Sequence, residues 1–167
     1  MHQHKVAAGG KIVCNNKDGV IGAVIKHRNR ACILTAYHIL KVGKCDLDST
    51  VLLDGYDGRV IEIIWDHDLA VIAVNASEDK MEYSKISKPE IGPAYSLNGN
   101  KRINCNIMTI GKTYHYLSFP MGDLPLPGDS GSPIIQGDRV VGILASIFYN
   151  NATGIAVSIE MFNIGVK

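Results

Sequence analysis

Short apolar stretches rich in Val and Ile recur along this chain with turn residues between them, and helical periodicity is almost absent. Strands that are short and regularly spaced bury their apolar faces by pairing into stacked or closed sheets, so the pattern points to an all-β sandwich or barrel. Candidate strands in the first half are Lys11–Cys14, Val20–His27, Ala31–Thr35, Val51–Leu53, Arg59–Trp65 and Leu69–Val74, with turns at Asn15–Gly19 and Arg28–Arg30. A polar stretch, NASEDKMEYSKISKPE, then reads as a linker. Strand candidates resume at Ala94–Leu97, Ile103–Ile110, Thr113–Phe119, Pro133–Ile135, Arg139–Tyr149 and Ile155–Ile159. Two sets of about six strands predict two six-stranded antiparallel barrels, at residues 1–75 and 93–167, joined by a linker at 76–92.

Composition excludes several function classes. The chain has 167 residues, 46% hydrophobic and 20% charged, which is the make-up of an ordinary folded domain and not of a disordered chain. Its formal net charge is +1 with both signs interspersed, so neither a nucleic-acid tract nor an anionic-membrane patch is expected. The opening MHQHKVAAGGK lacks the apolar core of a secretory signal, and no later apolar run has the length of a membrane span. A cytoplasmic protein is expected. Cys14, Cys32, Cys45 and Cys105 show no zinc-type spacing and are read, in that setting, as reduced and structural. His2 and His4 have no third ligand and read as a solvated tail, so no metal is expected. His27, His67 and His115 have no recognisable partners, and the alternation of Tyr114, Tyr116 and Phe119 suits core or cleft packing. The sequence carries no sign of oligomeric state.

The strongest chemical signal is PGDSGSP, Pro127–Pro133. A serine that attacks a carbonyl needs backbone N–H groups aimed at the oxyanion it creates, and glycine permits the φ/ψ values that turn such donors inward. The N–H groups of Gly128 and Ser130 are the natural pair. Alone, Gly-Asp-Ser-Gly would be a polar turn. It is accompanied by TAYH, Thr35–His38, which closes an apolar strand with a histidine, and by WDHDLAVI, Trp65–Ile72, which opens another with an aspartate. A serine hydroxyl needs an adjacent base, and the base needs a group that holds its tautomer.

With His, Asp and Ser in that order, and TAYH, DLAV and GDSGSP around them, the chain resembles the chymotrypsin-like serine proteases. The resemblance implies His38 as general base, Asp68 as its orienting acid, Ser130 as nucleophile and Gly128 with Ser130 as oxyanion hole. It implies peptide-bond hydrolysis through an acyl-enzyme, a polypeptide substrate and no cofactor. Asp66 competes with Asp68; the latter is preferred because Leu69, Ala70 and Val71 follow it, as in the family's Asp-then-apolar strand. Ile39, not cysteine, follows His38, and the chain is compact. In this it is similar to the processing proteases of positive-strand RNA viruses, and its tail from Ser130 is similar to the bacterial stage IV sporulation B peptidase.

Lys11-Ile12-Val13 is similar to the family's activation site, where a freed amine pairs with the aspartate that here is Asp129. Ile12 lies 26 residues before His38, too close for that arrangement, so a first strand is the better reading and Asp129 is expected to be satisfied by local backbone or water. The resemblance places the pocket for the residue preceding the scissile bond at Leu124, Leu144, Ala145 and Gly154. That apolar set implies cleavage after a residue such as Leu, Met or Phe, unless a bulge in the Gly122–Pro127 loop brings Asp123 inward. Two competing functions are a silent, protease-like module that grips peptide strands and an esterase. The intact triad argues against the former. The Ser…Asp…His order of typical esterases is missing, which argues against the latter.

Overall fold

The computed structural model describes residues 5–162; His2 and His4 lie outside the described residues. The first sheet contains β1 (Lys11–Cys14), β2 (Lys17–Val20), β3 (Ala23–His27), β4 (Arg30–Ala36), β5 (Thr50–Leu53), β6 (Tyr56–Ile64) and β7 (Leu69–Val74), with a short helix, α1 (Tyr37–Val42), after β4. Its strand order is β2-β1-β5-β6-β7-β4-β3. The two edge strands, β2 and β3, are separated in the chain by Ile21 and Gly22 alone, so the sheet has to curl until its edges meet. In effect β2 and β3 are two halves of one bent strand. Their span begins three residues before the expected Val20 start, so the Asn15–Gly19 turn shrinks to Asn15–Asn16.

The second sheet contains β8 (Lys85–Ile86), β9 (Gly92–Asn98), β10 (Lys101–Ile110), β11 (Tyr114–Ser118), β12 (Pro133–Gln136), β13 (Arg139–Phe148) and β14 (Thr153–Val157). Its order is β12-β9-β10-β11-β14-β13-β8, and a further pairing of β12 with β13 closes six of these strands into a barrel. The fold is therefore all-β with two antiparallel curled sheets. The polar stretch between them is stitched down: Val6 bridges Met81, and β8 pairs in parallel with Arg139 and Val140.

The alternation of strand side chains separates three cores. In β7 every residue is buried. Ala70, Ile72 and Val74 point into the first barrel with Ile12, Ile33, Leu40 and Leu53. Leu69, Val71 and Ala73 point the other way and meet Ile143, Val157 and Ile159 of the second barrel. Successive strand residues face opposite sides, so a strand buried on both faces reads as a continuous apolar run. The second barrel's own interior holds Ile103, Ile107, Leu117, Ile134 and Leu144. Each such buried side chain contributes about 1.5–3 kcal/mol relative to exposure.

The expectation that all four cysteines are reduced is corrected. Cys14, at the end of β1, and Cys45, just beyond α1, form a disulfide with a Cα–Cα distance of 6.4 Å. Cys32 and Cys105 are free and buried. Burial pushes the Cys105 thiol up to about 12 and raises that of Cys32 as well, so both behave as packing groups.

Candidate active site

His38 is not the last residue of a strand: it lies in the first turn of α1. The pairing of β4 with β7 explains where it goes. Ala36 is registered with Leu69, so the residues that continue each strand past the pair, Tyr37 and Asp68, leave the sheet side by side. The Tyr37 N–H donates to the Asp68 carbonyl at 2.8 Å, and the His38 N–H donates to Asp68 Oδ1 at 3.0 Å. The other carboxylate oxygen lies 2.6 Å from His38 Nδ1. A backbone donor and a ring nitrogen thus share one carboxylate, which fixes the imidazole's direction. Asp68 follows a 3-10 turn, Trp65–His67, and takes a left-handed conformation, φ 50°. That bend turns its side chain back over α1, whereas Asp66 is exposed.

Ser130 follows a second 3-10 turn, Pro127–Asp129. Gly131 next to it has φ 90°, and a side chain there would begin 2.6 Å from Thr35 Oγ1 and 2.8 Å from the Val20 carbonyl. Glycine therefore lets the serine loop of the second barrel settle against the strand that leads into α1. His38, Gly128 and Ser130 consequently line one cleft of ≈ 460 Å³.

The two amides expected to form an oxyanion hole, those of Gly128 and Ser130, lie in this turn. The Ser130 N–H points at the Pro127 carbonyl, 3.4 Å away, closing the turn on itself. The Ser130 amide is therefore engaged within its own turn. Space around Gly128 is open, since a Cβ there would meet nothing within 4 Å.

Asp129 is not satisfied by local backbone alone. Asn98 Nδ2 donates to Oδ1 at 2.8 Å, while Lys101 Nζ at 2.8 Å and the Leu126 N–H at 2.7 Å share Oδ2. Burial by itself raises this carboxyl, but the hydrogen bonds from Asn98, Lys101 and Leu126 outweigh it and hold the group below its ordinary range.

Of the four residues expected around the specificity pocket, Ala145 lines the cleft, together with Ser146, Ile147 and Tyr149. Leu144 does not: it is fully buried in the second barrel's interior, and Leu124 packs against the same core. Gly154 sits beside Phe119 and Ile147, with 2.9 Å from its would-be Cβ to the Phe119 ring. β13 shifts register against β14 between Leu144 and Ser146, and from that point Ala145, Ser146 and Ile147 line the cleft. Asp123 is exposed and is not among the residues lining the cleft. The opposite wall, Lys17, Ile39 and Val42, was missed. Ile39 and Val42 follow His38 at helical spacing, a signal visible only once α1 is known.

Among the described residues no cluster of three His, Cys, Asp or Glu could hold a metal, and no helix is long and apolar enough to cross a membrane. No protein-family model and no curated protein sequence matches the chain. Solved structures do. The protease NAPase of Nocardiopsis superposes with a TM-score of 0.73 at 13% identity, over 95% of this chain and 97% of that one. The serine protease of a human pathogenic astrovirus does so with a TM-score of 0.64 at 19% identity, covering 98% and 96%. The NSP4 proteinase of equine arteritis virus gives 0.58 at 21% identity, covering 90% and 71%. The chain has the fold of the chymotrypsin-like serine proteases.

Proposed function

We propose that the protein is a serine endopeptidase with Ser130 as nucleophile, His38 as general base and Asp68 as the acid that orients it. The observation that carries this reading is the doubly braced His38–Asp68 pair, 2.6 Å apart, facing the cleft that also contains Ser130. With Nδ1 donating to Asp68, the tautomer leaves Nε2 as the acceptor. Ser130 Oγ attacks the peptide carbonyl as its proton passes to Nε2, and the imidazolium then protonates the departing amine. Water, deprotonated by the same nitrogen, hydrolyses the acyl-serine. The tetrahedral oxyanion is received by the Gly128 and Ser130 amides after the Pro127–Gly128 peptide turns, so substrate completes the site.

The substrate is a polypeptide cleaved after a medium-sized apolar residue. Ala145, Ile147, Ile39 and Val42 in the cleft support this. The carboxylate that lines the same cleft, Asp18, lies 3.6 Å from Lys11 Nζ, so a lysine or arginine head group buried among the four apolar side chains would compete for a carboxylate that already has a partner. The Cys14–Cys45 disulfide favours an oxidising setting over the cytoplasm inferred from the sequence, because thiols there are kept reduced. Digestion of a peptide library tests the reading. Cuts after Leu, Met or Phe that vanish with Ser130→Ala are expected, and cuts mostly after Lys or Arg would overturn the specificity.

A second reading has one observation in its favour. The closed Pro127–Ser130 turn is the state a silent, peptide-gripping module would keep. Tight peptide binding without turnover in the same library would select it.

A further inference from the structure

The turn that carries Asp68 is held by hydrogen bonds and by an aromatic contact that the hydrolytic chemistry does not use. Residues 65–68 join the ends of β6 and β7, whose last registered pair is Ile64 with Leu69. The bond that closes this turn is long, with the Asp68 N–H donating to the Trp65 carbonyl at 3.3 Å. Asp68 also sits at φ 50°, a left-handed conformation that a side chain keeps only where its surroundings enforce it. The turn therefore needs bracing from outside. The Tyr37 and His38 amides supply part of it through Asp68, and the Tyr114 hydroxyl adds to it by donating to the Asp66 carbonyl at 3.3 Å.

The remaining brace joins the two residues that lead into the His38–Asp68 pair. Tyr37 precedes His38 at the start of α1, and Trp65 opens the turn that ends on Asp68. Their rings meet edge to face, with centroids 4.9 Å apart and planes at 72°. Tyr37 is 8% exposed and packs in the first barrel's core, so it is the fixed member of the pair. Trp65 is 67% exposed, and burial contributes little to holding it. Aromatic pairs prefer particular geometries, so this contact carries direction as well as area.

We propose that Tyr37 and Trp65 are positioning residues, an aromatic clasp that fixes the Asp68 turn to α1 and keeps the carboxylate in line with His38. The inference rests on the assignment of His38, Asp68 and Ser130 given above. Neither ring lines the cleft that contains Ser130, so the pair acts through the backbone of residues 37–38 and 65–68. Loss of the clasp lets the turn drift away from α1 while the sheet beneath it, registered at Ile64 with Leu69 and at Ala36 with Leu69, stays paired.

The test compares the intact protein with Trp65→Leu, Trp65→Phe, Tyr37→Leu, Tyr37→Phe and the Trp65→Leu/Tyr37→Leu double variant. Readouts are the rate of fluorophosphonate labelling at Ser130, kcat and KM on a cleaved peptide, and the fluorescence anisotropy of Trp65, the chain's single tryptophan. A small fluorophosphonate carries no peptide, so its rate reads the alignment of His38, Asp68 and Ser130 and not substrate binding. Trp65→Leu should lower labelling and kcat about tenfold, the scale of one aromatic pair's coupling, with KM little changed. Trp65→Phe and Tyr37→Phe keep two rings in contact and should recover most of the loss. In Tyr37→Leu the Trp65 anisotropy should fall as the ring loses its partner. The double variant should lose no more than either single one, since the two rings make one contact. Trp65 is exposed, so Trp65→Leu is expected to fold and decides the matter should Tyr37→Leu fail to. Wild-type labelling of Trp65→Leu, with or without a raised KM, would overturn the proposal, as would losses that multiply in the double variant or an unchanged anisotropy in folded Tyr37→Leu. A wild-type protein that does not label at Ser130 would instead overturn the functional reading on which it rests.

Discussion

At the scale of single residues, the site depends on one carboxylate shared between a backbone amide and an imidazole. Asp68→Asn preserves the acceptor for the His38 amide but can hold the wrong tautomer, so it should leave the fold intact and lower kcat by about 10⁴-fold. A loss below tenfold in steady-state assays would remove Asp68 from the mechanism. Gly131→Ala tests the docking of the serine loop. Its Cβ would enter a space already filled by Thr35 Oγ1 and the Val20 carbonyl, at a φ of 90° that disfavours side chains. Urea unfolding should show a loss of roughly 1–3 kcal/mol together with slowed turnover. The sequence preference for Asp68 over Asp66 rests on the apolar strand that follows Asp68, and in the structure Asp68 is the one of the two hydrogen-bonded to His38. Asp129 was legible as a carboxylate that needs partners. Lys101 and Asn98 were not legible as those partners, since a hairpin register has to bring them there.

Among the elements, α1 and β13 carry most of the departures from the sequence reading. Six residues are too few to show the helical period of Tyr37–Val42, so Thr35–His38 reads as a strand end until the Asp68 brace is seen. In β13 the apolar run VVGIL is unmistakably a buried strand, but the shift after Leu144 decides which residues face the cleft. Alternation alone does not locate such an irregularity. The disulfide was hidden for a similar reason: Cys14 and Cys45 are 31 positions apart, and they approach where the end of β1 meets the turn after α1, with the Asn15 side chain donating to the Gly43 carbonyl. Closing a loop of that size stabilises a fold by about 2–4 kcal/mol, mainly through the unfolded chain. Cys14→Ser/Cys45→Ser, or wild type under reductant, should therefore melt several degrees lower. Identical melting with and without reductant would show that the two thiols are not joined.

For the whole molecule, the two-sheet architecture was written in the strand spacing, whereas the stability of the second barrel holds a pH dependence that was not. His115 is 1% exposed, and neither ring nitrogen has a hydrogen-bond partner among the described residues. Burial lowers its pKa, against a smaller opposing effect of Glu160. Below about pH 6.5 the unfolded chain therefore binds a proton that the native state refuses, so stability falls on acidification until the lowered native value is passed. Melting followed from pH 7 to pH 5 should show this decline, and His115→Phe should flatten it. Equal slopes in the two proteins would place the acid sensitivity elsewhere. The central claim, that His38 and Asp68 activate Ser130, is tested most directly by a fluorophosphonate probe and peptide mapping of the adduct. The expected result is a single adduct at Ser130 in the folded protein, absent after Ser130→Ala and strongly slowed by Asp68→Asn. Labelling that survives Ser130→Ala, or that maps to a different serine, would contradict it.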